Sequence, residues 1–166
     1  MNKNDVPLKK ISEANLIYFK NFEHRSYFKK IFSLKPNRDN EKLEIVNVLN
    51  DSYINKKGLV YCFVVEEIIF KIGSSTTNMK GRIQSYNCGK QSYRNSGTCS
   101  TTNYFVLQTF LNINKVIDVY AYFPEVIEFD VFGKKEKSSL PAKYYEKAIL
   151  TNMKNEGVFP SLCTQT

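Results

Sequence analysis

Residues 59–73 of the 166-residue chain read LVYCFVVEEIIFKIG, two apolar runs separated by a pair of glutamates. The first run, Leu59–Val65, is rich in β-branched and aromatic residues, and the second, at 68–72, has the same character. Both compositions are typical of β-strands. The stretch therefore predicts two neighbouring antiparallel strands with Glu66-Glu67 between them.

The elements after this hairpin alternate in type. A polar loop at 73–78, rich in helix-capping residues, leads into a helix that is expected to end near Tyr86. Residues 104–111 are expected to be helical, residues 116–123 alternate as a third strand, and Pro141 opens a last helix to about Asn155. The order predicts an α+β domain with a small antiparallel sheet of about three strands, flanked by helices.

Residues 1–50 are expected to form an N-terminal helical extension, broken at residues 32–37, to a main domain of residues 51–166. Ser12 is placed to cap a first helix around residues 11–19, and residues 42–49 have the apolar spacing of a short helix. The sequence leaves two roles open for this extension. It either serves in assembly and ligand gripping or simply packs onto the main domain.

The charge balance points to a phosphate-rich partner. The chain has 24 basic and 16 acidic residues, a net charge of +8 and a pI near 9.2. A lysine-rich solvated surface gives the same balance. The polar loop at 89–102 holds Lys90, Arg94, Ser100 and Thr101, which are candidates for contacts to phosphates or bases unless the loop is merely solvated.

The cysteine pattern argues against a structural zinc site. No two of the four cysteines form a C-x-x-C pair, and His24 is the single histidine. The sequence also shows neither a secretory signal nor a long apolar run, so reduced thiols, a cytoplasmic location and no membrane partner are expected. Cys62, inside an apolar strand, is interpreted as a small core residue.

Glu146 stands out on the last predicted helix. Helical spacing places Ala142, Tyr145, Ile149 and Met153 on one apolar stripe, and Glu146 falls within it. The lysines at 143, 147 and 154 are assigned to the opposite side. A carboxylate in an apolar stripe is costly unless it is paired or metal-bound, so the alternatives are a metal ligand or an ion pair with a buried lysine or arginine.

Two short motifs on the predicted hairpin resemble the paired motifs of the GIY-YIG nucleases. Leu59-Val60-Tyr61 precedes Lys71-Ile72-Gly73, with ten residues from the tyrosine to the lysine. The resemblance covers residues 58–166 and extends almost word for word to a small type II restriction enzyme of that family that reads an interrupted site of the TCNGA kind. The long similar stretches are residues 70–73, 84–90, 97–108 and 163–166.

The resemblance implies catalytic roles for five residues: Tyr61, Lys71, Arg82, Tyr86 and Glu146. Glu146 would hold one Mg²⁺ per active site, with Mn²⁺ as a substitute, because a single carboxylate suits an ion that keeps most of its water. Arg82 would bind the scissile phosphate through its planar fork of donors. Tyr61 would activate water, directly or as a relay, with the Lys71 ammonium lowering its pKa.

The motifs depart from the family pattern at three positions. Lys71 replaces the second tyrosine, Leu59 replaces the first glycine, and Tyr86 stands where many members have a histidine. These departures are interpreted as a subfamily variant. Gln165 is expected to replace an amide that helps position metal or phosphate, and it joins the candidate DNA contacts.

Joint action of Tyr61 and Lys71 sets a condition on the hairpin. A two-residue turn at Glu66-Glu67 would put their side chains on opposite faces, whereas an odd loop or a β-bulge would put them on the same face. The absence of Gly and Asn at 66–67 argues against a tight primed turn.

These features together predict a restriction endonuclease that cuts duplex DNA at a short, near-palindromic site as a homodimer. The loop at 89–102 and residues 1–50 would then grip the DNA. Two alternatives remain: a repair or mobile-element nuclease, which usually carries additional DNA-binding domains, and a nucleic-acid-binding module without catalysis.

Overall fold

A five-stranded antiparallel sheet organises this computed structural model, which describes residues 16–139 and 141–163. The described strands are β1 (Lys29–Asn37), β2 (Lys42–Val46), β3 (Leu59–Val65), β4 (Ile68–Ser75), β5 (Ile117–Tyr122), β6 (Ile127–Val131) and β7 (Lys134–Ser138). The described helices are α1 (Asp51–Asn55), α2 (Met79–Asn87), α3 (Gln91–Asn95), α4 (Thr101–Ile113) and α5 (Pro141–Asn155). The predicted α+β class is confirmed.

The sheet has the strand order β2-β1-β5-β3-β4, so the prediction of about three strands was too small. The two additional strands, β1 and β2, come from the N-terminal region that was expected to be helical with a break at 32–37. Residues 31–34 of the interior strand β1 are all buried, and a short buried run cannot be told from a buried helix by periodicity. Residues 42–46 alternate as a strand, so the helix predicted at 42–49 was wrong.

The N-terminal extension is only partly described. Residues 1–15, which hold most of the first predicted helix and Ser12, lie outside the described residues. Two short 3-10 turns follow, at Phe19–Asn21 and Arg25–Tyr27. Because β1 then enters the middle of the sheet, residues 29–46 are part of the main domain rather than a separate helical layer.

The β3–β4 hairpin combines a tight turn with a bulge. Glu66 and Glu67 both have positive φ, 48° and 67°, so they form the primed turn that the sequence argued against. The register pairs Phe63 with Lys71 but Val64 with Ile69, which leaves Phe70 as an extra residue. The bulge restores the face that the two-residue turn would have reversed, so positions 61 and 71 lie on the same face, which is the condition set for joint action of Tyr61 and Lys71.

Helices cover both faces of the sheet. Helices α2 and α4 pack on one face, where Phe63 makes edge-to-face contacts with Tyr86 and Phe110 at centroid distances of 5.6 and 5.5 Å. Helix α5 and the 3-10 turns pack on the other face, around Val60 and Cys62. Burial raises the pKa of the Cys62 thiol well above its ordinary value, in keeping with the predicted core role. No described helix is long and apolar enough to cross a membrane.

The last described residues cover the edge of β4. The Leu162 amide donates to the Phe70 carbonyl at 3.0 Å, and the Cys163 thiol lies 3.3 Å from the Ile72 amide and 3.2 Å from its carbonyl. An edge strand left open is a template for unwanted pairing, so this segment protects β4.

A second hairpin, β6–β7, projects away from the sheet and was not predicted. All five residues of β6 are exposed, and so are most of those in β7. The basic stretch at 134–137, which the sequence left unassigned, forms most of β7.

Asn87 connects helix α2 to the sheet, and we expect its loss to lower the stability of the fold. Its side-chain amide donates to the Leu43 carbonyl at 3.1 Å and its Oδ1 accepts from the Leu43 amide at 2.8 Å. Asn87→Ala should lower the free energy of unfolding by about 2 kcal/mol, because two buried backbone groups lose their partner. Urea denaturation measures the change, and exposed Asn95→Ala is the control, with an expected effect within about 0.5 kcal/mol. Equal effects of the two substitutions would contradict the bridging role.

Candidate active site

Three side chains from β3 and α2 form a polar cluster at one end of the hairpin. The Arg82 Nε donates to the Tyr61 hydroxyl at 2.9 Å, and the hydroxyls of Tyr61 and Tyr86 lie 2.6 Å apart. Both tyrosines are fully buried, whereas Arg82 is half-buried. The guanidinium carbon also lies 5.0 Å from the Tyr86 ring centroid, within cation–π range. The structure therefore brings three of the five predicted catalytic residues into direct contact.

The local sequence explains this placement. The Asn78 side chain caps α2 by accepting from the Gly81 amide at 2.9 Å, which fixes where the helix begins. Met79 and Ile83 are buried and anchor the inner face of the helix. Residues four apart share a helix face, so Arg82 points the same way as Tyr86, toward β3.

Burial and the Arg82 guanidinium act in opposite directions on the two tyrosines. Burial raises the pKa of Tyr61, but the Arg82 charge and the hydrogen bonds from Tyr86 and Arg82 all lower it. Burial also raises the pKa of Tyr86, where the Tyr61 hydroxyl adds to the rise and Arg82 lowers it. Burial acts to lower the pKa of Arg82, and the tyrosine oxygens more than offset it. The Arg82 Nε donates directly to the Tyr61 oxygen, so Arg82 is placed to stabilise an anion on the tyrosine pair.

Lys71 has a different partner from the one predicted. Its ammonium donates to the Leu162 carbonyl at 3.0 Å, and the residue is only 6% exposed. Arg82, rather than Lys71, is the cation bonded to Tyr61, so the tuning of the Tyr61 pKa assigned to Lys71 belongs to Arg82. Lys71 instead acts on Cys163, where burial raises the thiol pKa and the ammonium opposes that rise.

Glu146 reaches the same end of the sheet from the opposite face. It is half-buried on α5, and its Oε2 accepts a hydrogen bond from the Ser74 hydroxyl at the end of β4. Its charge contributes to raising the pKa of Tyr61, so the carboxylate lies near the tyrosine cluster. Among the described residues Glu146 forms no ion pair, so the predicted alternative of a buried lysine or arginine partner is not seen there. The carboxylate is held by a neutral donor and retains free acceptor capacity.

Glu146 and Arg82 line one open cleft of about 660 Å³. Its other lining residues are Ser74, Lys143, Lys147, Leu150, Thr151, Lys154 and Phe159. The three lysines were predicted on the side of α5 opposite to Glu146, and that prediction was wrong. Glu146 lies about one turn from both Lys143 and Leu150, so it stands at the border between the apolar and basic stripes.

The predicted contact loop is more ordered than expected, because it contains the short helix α3. The Arg94 guanidinium stacks 3.6 Å from the Tyr104 ring centroid, and the Lys90 ammonium lies 5.6 Å from the Tyr93 ring centroid. Ser100 caps α4 by accepting from the Asn103 amide at 3.2 Å, and Thr101 is exposed beside it. Gln165 lies outside the described residues. These positions hold their side chains through local contacts, and their part in binding stays a prediction.

Ser74 and the three α5 lysines were missed as site residues. The lysine spacing of i, i+4 and i+11 places them on one helix face, and that signal was available in the sequence. Ser74 had no comparable signal, since its role depends on a helix that is 72 positions away along the chain.

Because Gly73 has no side chain, the Tyr61 hydroxyl can occupy the space beside it. A Cβ at position 73 would lie 2.6 Å from the Tyr61 Cζ and even closer to its oxygen. We expect Gly73→Ala to displace the hydroxyl and lower the cleavage rate by about 100-fold, since small misplacements of catalytic groups are costly. Gly81→Ala is the matched control, because its Cβ would come no closer than 3.3 Å to the Asn78 Oδ1. Single-turnover cleavage assays compare the two; parent-like cutting by Gly73→Ala would show that the Tyr61 position is unimportant.

Comparisons with known proteins found similar solved structures. The structure is similar to restriction endonuclease HPY188I in complex with product DNA, with 47% sequence identity, a TM-score of 0.73, and coverage of 96% of this chain and 91% of that one. It also shares its fold with a variant of bacteriophage T4 EndoII, at 15% identity and a TM-score of 0.55, over 86% of this chain and 96% of that one. No family model and no curated protein matches the chain.

The similarity to HPY188I is decisive because of its extent. An identity of 47% extends over nearly the whole length of both chains. The sequence-based prediction of a DNA endonuclease is confirmed at this level. The chain therefore belongs to the restriction endonuclease family that includes HPY188I.

Proposed function

We propose that this enzyme is a type II restriction endonuclease of the GIY-YIG type that hydrolyses both strands of duplex DNA at a short, near-palindromic site of the TCNGA kind. The observation that carries the proposal is the cleft shared by Arg82 and Glu146. A phosphate-binding cation and a free carboxylate are the two groups that metal-assisted phosphodiester hydrolysis requires. HPY188I, a restriction endonuclease seen with product DNA, supports the choice of DNA as substrate.

The motif residues support the GIY-YIG assignment. The two motifs lie on adjacent strands, β3 and β4, and the arginine and the glutamate stand on later helices. Tyr61, Arg82 and Tyr86 are in contact, as the resemblance implies. Lys71 lies on the Tyr61 face but contacts the C-terminal segment, so we assign it a supporting position behind the reacting groups.

The residues present fit one Mg²⁺. Within the described ranges no cluster of three or more His, Cys, Asp or Glu side chains could enclose a metal, and Glu146 with the Ser74 hydroxyl beside it supplies oxygen donors in the cleft. A single carboxylate suits Mg²⁺, which keeps several waters, and Mn²⁺ would accept the same donors. When bound there, the ion would stabilise negative charge on the phosphate and on the leaving oxygen.

The protein groups divide the remaining work. Arg82 binds phosphate oxygens from the cleft wall, where its guanidinium is half-buried and already oriented by two aromatic rings. The Tyr61 oxygen lies one hydrogen bond behind Arg82 and is closed to solvent in this structure. Movement of the guanidinium toward phosphate would open that oxygen to water. The ionised form of Tyr61 would then take a proton from the attacking water, which leaves hydroxide as the nucleophile and a neutral phenol at Tyr61, while the Tyr86 hydroxyl donates a hydrogen bond to the Tyr61 oxygen.

A plasmid assay tests this function. Purified protein is incubated with plasmid DNA in Mg²⁺ or in EDTA, and the products are mapped by sequencing their ends. We expect discrete double-strand breaks in Mg²⁺ and none in EDTA. DNA binding without cleavage in Mg²⁺ and in Mn²⁺ would instead indicate a non-catalytic binding module.

The proposed function includes a cytoplasmic location for the enzyme.

A homodimer is the expected assembly on DNA. One chain provides one candidate site, yet two strands must be cut, and a near-palindromic target mirrors two-fold protein symmetry. Sedimentation of the DNA complex should give two chains per duplex, and binding should weaken steeply with added salt as phosphate contacts release counterions. The proposed grip by the loop at 89–102 and by residues 1–50 belongs to this assembly. One chain per duplex together with nicking of one strand would contradict it and favour a repair-type nuclease.

A further inference from the structure

The basic side of α5 has no partner in the described part of the chain. Lys143, Lys147 and Lys154 are exposed, and none of them lies within ion-pair distance of a described carboxylate. Other surface lysines do have such partners: Lys30 with Asp118 at 2.7 Å, and Lys115 with Glu66 at 2.8 Å. The three α5 cations are therefore available for a ligand.

These lysines line the same cleft as Arg82 and Glu146. The cleft wall thus combines four cations with one carboxylate, an excess of positive charge beyond what a single scissile phosphate requires. A concave surface lined by charges of one sign focuses its field, which favours a polyanion over an isolated phosphate. Thr151, also in the wall, adds a hydroxyl donor among the ammonium groups.

The row formed by Lys143, Lys147 and Lys154 is longer than one nucleotide step of DNA. Lys143 and Lys154 stand eleven residues apart, which is about 16 Å along the helix axis, and Glu146 lies near one end of that span. Phosphates of one DNA strand advance by about 3.4 Å along the duplex axis, so a row of this length can meet several of them. Lys154 is about 12 Å from Glu146 along the helix and cannot serve the scissile phosphate itself.

We propose that the α5 lysines form a track for the backbone phosphates of the strand being cut, continuous with the active site. Lys143 and Lys147 hold the phosphates next to the scissile one, and Lys154 holds a phosphate further along the same strand. The contacts are to the backbone, so they add affinity without reading sequence. This inference rests on the proposed function, and it locates a binding surface outside the loop at 89–102.

The test measures how binding depends on salt. Duplexes with and without the target site are titrated by fluorescence anisotropy in EDTA, between about 50 and 200 mM salt. Lys143→Gln, Lys147→Gln and Lys154→Gln should each weaken binding on the order of fivefold to both duplexes and reduce the salt slope by about 0.9. Lys115→Gln is the matched control; it lies at the turn end of the β3–β4 hairpin, away from the cleft, and should leave the slope unchanged.

The triple variant and the cleavage assay separate the possible failures. The variant that combines Lys143→Gln, Lys147→Gln and Lys154→Gln should show a salt slope reduced by about three. A salt slope equal to that of the parent would overturn the proposed track. If the parent binds no duplex at all, the proposed function fails rather than the track alone. Because all three lysines are exposed, circular dichroism should show parent-like folding, and if the triple variant does not fold, the slope of Lys154→Gln decides. Lys115→Gln should also cut at the parent rate when DNA is saturating, since it lies outside the cleft.

Discussion

Glu146→Gln should abolish cleavage, with a loss of about a thousandfold or more in single-turnover rate, while DNA affinity stays equal or increases. The substitution keeps the side-chain volume and the hydrogen bond from Ser74, but it removes the charge that would hold Mg²⁺. Loss of metal-derived charge stabilisation is worth several kcal/mol in the transition state, and each 1.36 kcal/mol is about tenfold in rate. Affinity should not fall, because the cleft loses its one negative charge among four positive ones.

The control for this experiment is Glu156→Gln. It removes the same charge from an exposed position just after α5, outside the cleft, and should cut at the parent rate. A direct measure of Mg²⁺ binding by isothermal titration in the presence of cleaved DNA should show loss of binding in Glu146→Gln only. Parent-like cutting by Glu146→Gln would remove this carboxylate from the metal site.

Local composition predicted the central part of the fold. The residue types in 59–65 and 68–72 predict β3 and β4, and the Pro141 signal predicts where α5 begins. Strand β1 was missed because its residues 31–34 are all buried between β2 and β5. The strand therefore lacks the alternation of buried and exposed residues that marks a half-buried strand. The turn at Glu66-Glu67 was missed because two glutamates with positive φ contradict the usual preference for Gly and Asn.

Part of the candidate site could likewise be predicted from the sequence, and part could not. Tyr61, Arg82 and Tyr86 were predicted together because of the resemblance to the GIY-YIG motifs, and the four-residue spacing of Arg82 and Tyr86 places both on one helix face. The partner of Lys71 was not, because its ammonium meets the carbonyl of Leu162, 91 positions further along the chain. The same holds for Ser74 and Glu146, which belong to different layers of the fold. Such contacts depend on how segments far apart in the sequence pack together, and no local sequence pattern encodes them.

Tyr61→Phe should lower the cleavage rate by about 100- to 10,000-fold, the range of general acid–base catalysis, and should change the pH profile. The ring stays in its buried position, but Arg82 Nε and the Tyr86 hydroxyl lose their shared partner, so stability should fall by about 1–3 kcal/mol. Cleavage assays at temperatures well below the unfolding transition of the variant separate the loss of rate from the loss of stability.

The pH dependence identifies the role of this hydroxyl. Burial raises the pKa of Tyr61 above the ordinary value of 10.0, so the neutral phenol dominates at pH 7 and the basic form increases about tenfold for each pH unit. The parent rate should therefore rise with that slope from about pH 6.5 to 9, and the rate of Tyr61→Phe should be flat. Tyr86→Phe is the matched comparison: it removes a donor to the Tyr61 oxygen, so it should be slower than the parent yet keep the slope. A slow Tyr61→Phe variant that retained the full slope would show that Tyr61 only positions Arg82, and the base would then have to be sought among the groups that line the cleft.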